Sequence, residues 1–175
     1  LLIPDSVKTI GEYAFAKCKG LTSLTLGASV ESIDAHAFDS VGLASLVIPD
    51  SVKTIGKYAF AECEGLTSLT LGASVESIDA NAFENCVGLT SLVIPNSVKT
   101  IDFKAFRETG LKSVVVPAGC EVHSEAFPLG CEVTVAASAA EKAAVEQTAA
   151  EQTAAEQTAA EQAAAAEQAA AEQAA

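Results

Sequence analysis

The stretch LTSLTLGASVESIDAHAF at 21–38 is followed by LASLVIPDSVKTIGKYAF at 43–60 and LTSLTLGASVESIDANAF at 66–83. LTSLVIPNSVKTIDFKAF at 89–106 continues the series, LKSVVVPAGCEVHSEAF at 111–127 is a weaker copy, and CEVTV at 131–135 closes it. The pair Ala-Phe recurs at 14–15, 37–38, 59–60, 82–83, 105–106 and 126–127, with spacings of 23, 22, 23, 23 and 21. Self-similarity at a period of twenty-odd residues is the mark of a solenoid, in which each unit buries its apolar edge only against its neighbours. Near-identity is highest at an offset of 45 residues, so two successive repeats form the duplicated unit.

Positions within the repeat have assignable work. Leu24, Thr25 and Leu26, like Leu46, Val47 and Ile48, alternate with a period of two, as a half-buried strand does. Pro or Gly ends that segment at 4, 27, 49, 72, 95 and 117, where no further ladder bond is wanted. A second extended piece follows, Val30 to Ile33 and its copies. Next comes Gly11, Asp34, Gly56, Asp79 or Asp102, residues suited to a turn or a positive φ. The Ala-Phe segment then reads as about one helical turn, ended by Gly at 20, 42, 65, 88, 110 and 130.

Stacking equivalent residues about 4.8 Å apart predicts columns of Leu, Ile and Val. It also predicts one aromatic file of Phe15, Phe38, Phe60, Phe83, Phe106 and Phe127. On the outside, Lys8, Glu31, Lys53, Glu76, Lys99 and Glu121 alternate in sign, as suits a parallel stack of charges.

The phrase IPDSVKTIGKYAFAECEGLTSLTL, Ile48 to Leu71, resembles the BspA-like class of leucine-rich repeats, and the likeness covers about three quarters of the chain. That resemblance implies an elongated right-handed solenoid with a parallel sheet along one side. It also implies a secreted or cell-surface setting, a role in adhesion or protein binding, and no catalytic residues. The expected architecture is a β-rich leucine-rich repeat solenoid over 1–135, of about six rungs with the first incomplete. An alanine-rich single α-helix, or a partly disordered tail, follows over 136–175. The family pattern does not contain that tail.

Charge narrows the partners. The net charge is −13 with only ten Lys and Arg, which argues against a phosphate-tracking groove and against docking on anionic membrane. No apolar run approaches the roughly 20 residues of a membrane span. The chain has no Met and its first residue falls inside a repeat, so it reads as a fragment or processed form, and a missing leader carries no information.

A search for chemistry finds little. No C-x-x-C, H-x-x-x-H, G-x-S-x-G, G-x-G-x-x-G or P-loop pattern occurs, so neither an enzyme nor a cofactor or metal site is expected. His36 stands where other copies have Tyr13, Tyr58, Asn81 and Lys104, which reads as a variable, solvent-facing place; His123 reads likewise. Cys18, Cys63 and Cys86 follow the repeat Phe by three residues, a core position where Cys acts as a small hydrophobe. Cys120 and Cys131 break the pattern and are either packed thiols or a disulfide stapling the last repeat.

The candidate binding face is the outward side of the first strand segment: Ser23, Thr25, Ser45, Val47, Ser68, Thr70, Ser91, Val93, Ser113 and Val115. It suits a protein or cell-surface ligand, although aromatic and Arg anchors are missing. A structural or self-assembling element, joined end to end through the uncapped N-terminal rung, is a second reading. Ice binding by the Ser/Thr ladder is a third, weakened by Val at every second rung.

The tail carries seven Glu and one Lys, −6 of the net charge. Ser138 and Glu141 match a capping box, and Ala-rich sequence favours helix. Glu mostly at steps of five, from Glu141 to Glu161, winds around such a helix, so no apolar stripe forms for a coiled coil or a membrane surface. A spacer is the expected role.

Overall fold

The structure is a computed structural model and describes residues 1–136. The expected helical tail lies outside the described residues. Ten short strands appear among the described residues, and the second segment of each rung builds the continuous sheet. β1 (Thr9–Ile10), β2 (Ser32–Ile33), β4 (Thr54–Ile55), β6 (Ser77–Ile78), β7 (Thr100–Ile101) and β9 (Glu121–Val122) pair in that order. All are parallel and in register. Thr9, Ser32, Thr54, Ser77, Thr100 and Glu121 therefore make one outward column. Ile10, Ile33, Ile55, Ile78, Ile101 and Val122 make the inward one, which is buried except at Val122.

The first segment, expected to carry the main strand, pairs only in places. β3 (Ser45–Val47) pairs with β5 (Ser68–Thr70), and β8 (Ser113–Val116) with β10 (Glu132–Val135), while Leu2 bridges Thr25. The residue closing the segment explains the pattern. Pairing forms where a Pro rung is followed by a rung with Gly or Ala at that corner: Pro4 and Gly27, Pro49 and Gly72, Pro117 and Ala136. A Cβ on Gly72 would stand 2.4 Å from the Pro49 carbonyl oxygen, and one on Gly27 would stand 2.6 Å from that of Pro4. Where the next corner is itself Pro, at 49, 95 and 117, the missing N–H and the ring keep the strands unpaired.

The same alternation recurs around these corners. The Asp5 carboxylate accepts the Ala28 N–H and the Asp50 carboxylate the Ala73 N–H, each at 2.7 Å. Ser51 and Ser97 hydroxyls donate to the Val30 and Val75 carbonyls, each at 2.7 Å. The 45-residue duplication thus copies a physical unit of two complementary rungs.

The Ala-Phe segment is a chain of tight turns and not a helical turn. Bonds such as Ala37 N–H to the Asp34 carbonyl close i→i+3 turns, while alternate amides reach the next rung: His36 to Lys57, Phe38 to Ala59 and Ser40 to Ala61. This geometry requires a left-handed residue on either side of the Phe. Tyr13, His36, Tyr58, Asn81 and Lys104 take it before, and Lys17, Ser40, Glu62, Asn85 and Glu108 after. The expected positive-φ places, Gly11 to Asp102, do not take it, and among the closing glycines only Gly130 does. Left-handed φ costs a side-chain-bearing residue roughly 1–2 kcal/mol, offset here by the bonds between rungs.

The Phe file forms as expected. Successive rings from Phe15 to Phe127 stack with centroids 5.1–5.4 Å apart and planes within 8° of parallel. Phe38, Phe60, Phe83 and Phe106 are fully buried, with Leu43, Leu66 and Leu89 in the same core.

Candidate interaction surface

On the first-segment face, β-strand alternation sends Leu24, Leu46, Leu69 and Leu92 inward and leaves their flanking residues outside. Ser23, Thr25, Ser45, Val47, Ser91, Ser113 and Val115 are exposed, and Ser68, Thr70 and Val93 are half-buried. Register aligns Ser45 with Ser68 and Val47 with Thr70. It also sets Ser113 beside Glu132 and Val115 beside Thr134, two neighbours outside the face expected from the repeat. Val47 is 49 % and Val115 37 % exposed. Of the residues aligned on this face only Glu132, at its end, is titratable.

The second segment supplies a charged strip. Lys8 pairs with Glu31 at 3.6 Å and Lys99 with Glu76 at 2.5 Å. The hydrogen bond from Lys99 holds the Glu76 carboxyl below the ordinary glutamate range. Glu121 departs from the expected ladder. Its register partner is Thr100, which puts it in the Thr/Ser column. The last repeat is one residue short before its Ile-equivalent, Val122, and the slip results from that.

His36 is not the solvent-facing residue its variable column suggested. Its ring is sandwiched between Tyr13 and Tyr58 at 4.6 and 4.7 Å, within 16° of parallel, and Nδ1 lies 3.1 Å from Asp39 Oδ2. Asp39 also accepts the Ser40 hydroxyl at 2.8 Å. Two rungs on, Asn81 takes the same place, buried, with its amide donating to Glu84 Oε2 at 2.7 Å. These columns were visible in the repeat alignment: every occupant is aromatic, imidazole, amide or long-chain. His123, in contrast, is exposed and meets Phe103 edge-on at 5.1 Å.

All five cysteines are free thiols. Cys63 and Cys86 are buried in neighbouring rungs and donate to the carbonyls of Phe38 and Phe60. The hydrogen bond with Cys63, together with burial, pushes the Cys86 thiol far up. Cys18 is exposed, unlike its copies. Cys120 and Cys131 are half-buried and unjoined, and they belong to different segments of the rung. Among the described residues no three His, Cys, Asp or Glu gather as a metal site, and no helix is long and apolar enough to cross a membrane.

Solved structures with this geometry come from bacteria. A leucine-rich repeat protein of Bacteroides ovatus is 23% identical with a TM-score of 0.54, over 77% of this chain and 45% of its own. One from Eubacterium ventriosum is 24% identical with a TM-score of 0.57, over 76% and 43%. The T. pallidum leucine-rich repeat protein is 28% identical with a TM-score of 0.50, over 58% and 46%. The chain thus spans less than half the length of these relatives. Among curated proteins none matches it. The family model for the BspA type leucine rich repeat region matches six copies, over residues 1–112 and 31–135. The chain belongs to the BspA-type leucine-rich repeat family.

Proposed function

We propose that this protein is a non-enzymatic interaction module that binds a protein or cell-surface ligand through the first-segment face of its solenoid, with the tail over 136–175 as a spacer. The observation that carries the reading is the exposure of Val47 and Val115 in line with Thr70 and Thr134. Such β-branched side chains have little conformational freedom left to lose, so a rigid face that holds them ready binds at lower entropic cost. Each rung offers the same small contact, and a partner that spans several rungs gains by repetition. The repeat fold of the family supports a scaffold over a catalyst.

The test is surface plasmon resonance of the full chain over a panel of immobilised extracellular-matrix and cell-surface proteins, beside the double variant Val47→Asp, Val115→Asp. We expect at least one saturable partner whose binding falls by about tenfold or more in the variant, as for loss of central apolar contacts. Binding by the wild type that the variant retains in full would refute this face, and no binding across the panel would refute the module.

A further inference from the structure

Two cysteines occupy the same place on neighbouring inner rungs. Cys63 and Cys86 each follow the Phe of their rung by three residues, in a column filled by Cys18, Val41 and Thr109 in other rungs. Immediately beside them the Glu62 N–H donates to the Glu84 carbonyl at 2.8 Å, and the Phe60 and Phe83 rings stack at 5.4 Å. The two rungs are therefore in register at this point. Parallel neighbours in register lie ~4.8 Å apart, inside the range of roughly 4.4–6.8 Å between Cα atoms that a disulfide spans. No other pair of the five cysteines holds one column on adjacent rungs. The Val41 rung separates Cys18 from Cys63, and Cys120 and Cys131 lie in different segments of the chain's last repeats.

The two thiols are within reach of each other. Cys86 Sγ donates to the Phe60 carbonyl at 3.3 Å, which turns it toward the rung that holds Cys63. A hydrogen bond from Cys86 draws the Cys63 thiol below the ordinary cysteine range. Cys63 Sγ also donates to the Phe38 carbonyl at 3.5 Å, a weak thiol bond that a turn about χ1 gives up. Both residues are fully buried, so a bond made between them is shielded from the thiols that would reduce it.

We propose that Cys63 and Cys86 join in a disulfide when the chain folds in the presence of a small-molecule disulfide such as oxidised glutathione, and that this bond staples their two rungs. As the rungs dock, the thiolate of one cysteine attacks the glutathione disulfide and releases one half of it as a thiol. The other cysteine gives up its proton and attacks the protein sulfur of the mixed disulfide, which forms the Sγ–Sγ bond and releases the second half. Two electrons pass from the protein thiols to the glutathione disulfide, and their two protons end on the two glutathione thiols. The link closes a loop one rung long, which restricts the unfolded chain, and it keeps the stack from parting between Phe60 and Phe83. This assignment is independent of which face binds a partner.

The test is refolding of the reduced full chain from urea in a buffer of reduced and oxidised glutathione. The folded monomer is then isolated, its free thiols are alkylated under denaturing conditions, and its peptides are mapped without reductant. The expected result is that most molecules yield Cys63 and Cys86 as one linked pair of peptides. The oxidised chain is also expected to melt about 5 °C or more above the same chain kept reduced, in line with closure of a loop of this size, and Cys86→Ala to lose that rise. Recovery of Cys63 and Cys86 mainly as alkylated thiols or as glutathione adducts overturns the proposal. So does preferred linkage of either to Cys18, Cys120 or Cys131. A linked pair that leaves the melting temperature unchanged overturns the staple. Should refolding give no monomer, the folded chain is oxidised in urea just below its unfolding transition, and the same map decides.

Discussion

Phe60 stacks between Phe38 and Phe83 at 5.2 and 5.4 Å, buried completely, so both faces of its ring touch aromatic neighbours. Replacement by Ala leaves a hole in the middle of a file that cannot slide shut, because its neighbours are held by bonds from rung to rung. Phe60→Ala is expected to cost ~3–5 kcal/mol, measured by thermal or denaturant unfolding. Glycine tests a different physical limit. Gly72 has no room for a methyl group, since a Cβ there meets backbone atoms of Pro49 and Asp50 at 2.4–2.8 Å, whereas Gly11 has nothing within 4 Å. Gly72→Ala should destabilise by about 1–3 kcal/mol, the usual cost of overpacking. Gly11→Ala should stay within about 0.5 kcal/mol of wild type. Equal effects at the two positions in a urea titration would contradict the close approach of the corners.

Elements in this chain are very short, and two-residue strands such as β4 have no stability by themselves. They persist because the six-stranded sheet extends through the whole stack, each strand bonded on both sides except at the ends. The other segment shows how corner chemistry controls pairing. Pro at 49 admits Gly72 beside it, and β3 and β5 pair; Gly72 is followed by Pro95, and pairing lapses. Asp50 capping the Ala73 amide and Lys99 meeting Glu76 obey the same alternation. Two kinds of rung therefore fit each other better than either fits itself. Deleting residues 44–66 removes one rung and sets the Gly27 rung against the Gly72 rung, with Glu31 facing Glu76. Deleting residues 44–89 removes two and restores Gly27 beside Pro95, with Glu31 facing Lys99. The longer deletion is expected to melt at the higher temperature, although it removes more core. A lower melting point for it, by calorimetry, would show that rung number outweighs rung alternation.

Across the whole molecule, stability is the sum of rung-to-rung contacts, and the repeat explains why so much of the fold is legible in the chain. The file of Phe, the inward Ile column and the outward Ser, Thr and Val positions arise from spacing alone, because a solenoid converts sequence period directly into spatial adjacency. Legibility fails where adjacency in space depends on backbone detail. His36 has the variable column of a free surface residue, but Tyr13 and Tyr58 close on it from neighbouring rungs. Glu121 has the sign of the next charge in the ladder, but the shortened last repeat shifts it beside Thr100. The Ala-Phe segment has the residues of a helical turn, but its amides point along the stack to the next rung, which forces left-handed φ on residues such as Tyr58 and Glu62. The sequence by itself determined the repeat, its length, the residues of the core and the two-rung alternation, since these rest on the order of apolar and polar side chains. Only the tertiary structure decided which segment makes the continuous sheet, where pairing lapses and which side chains stack, because those depend on how closely two backbones approach, and that distance is set by both rungs together.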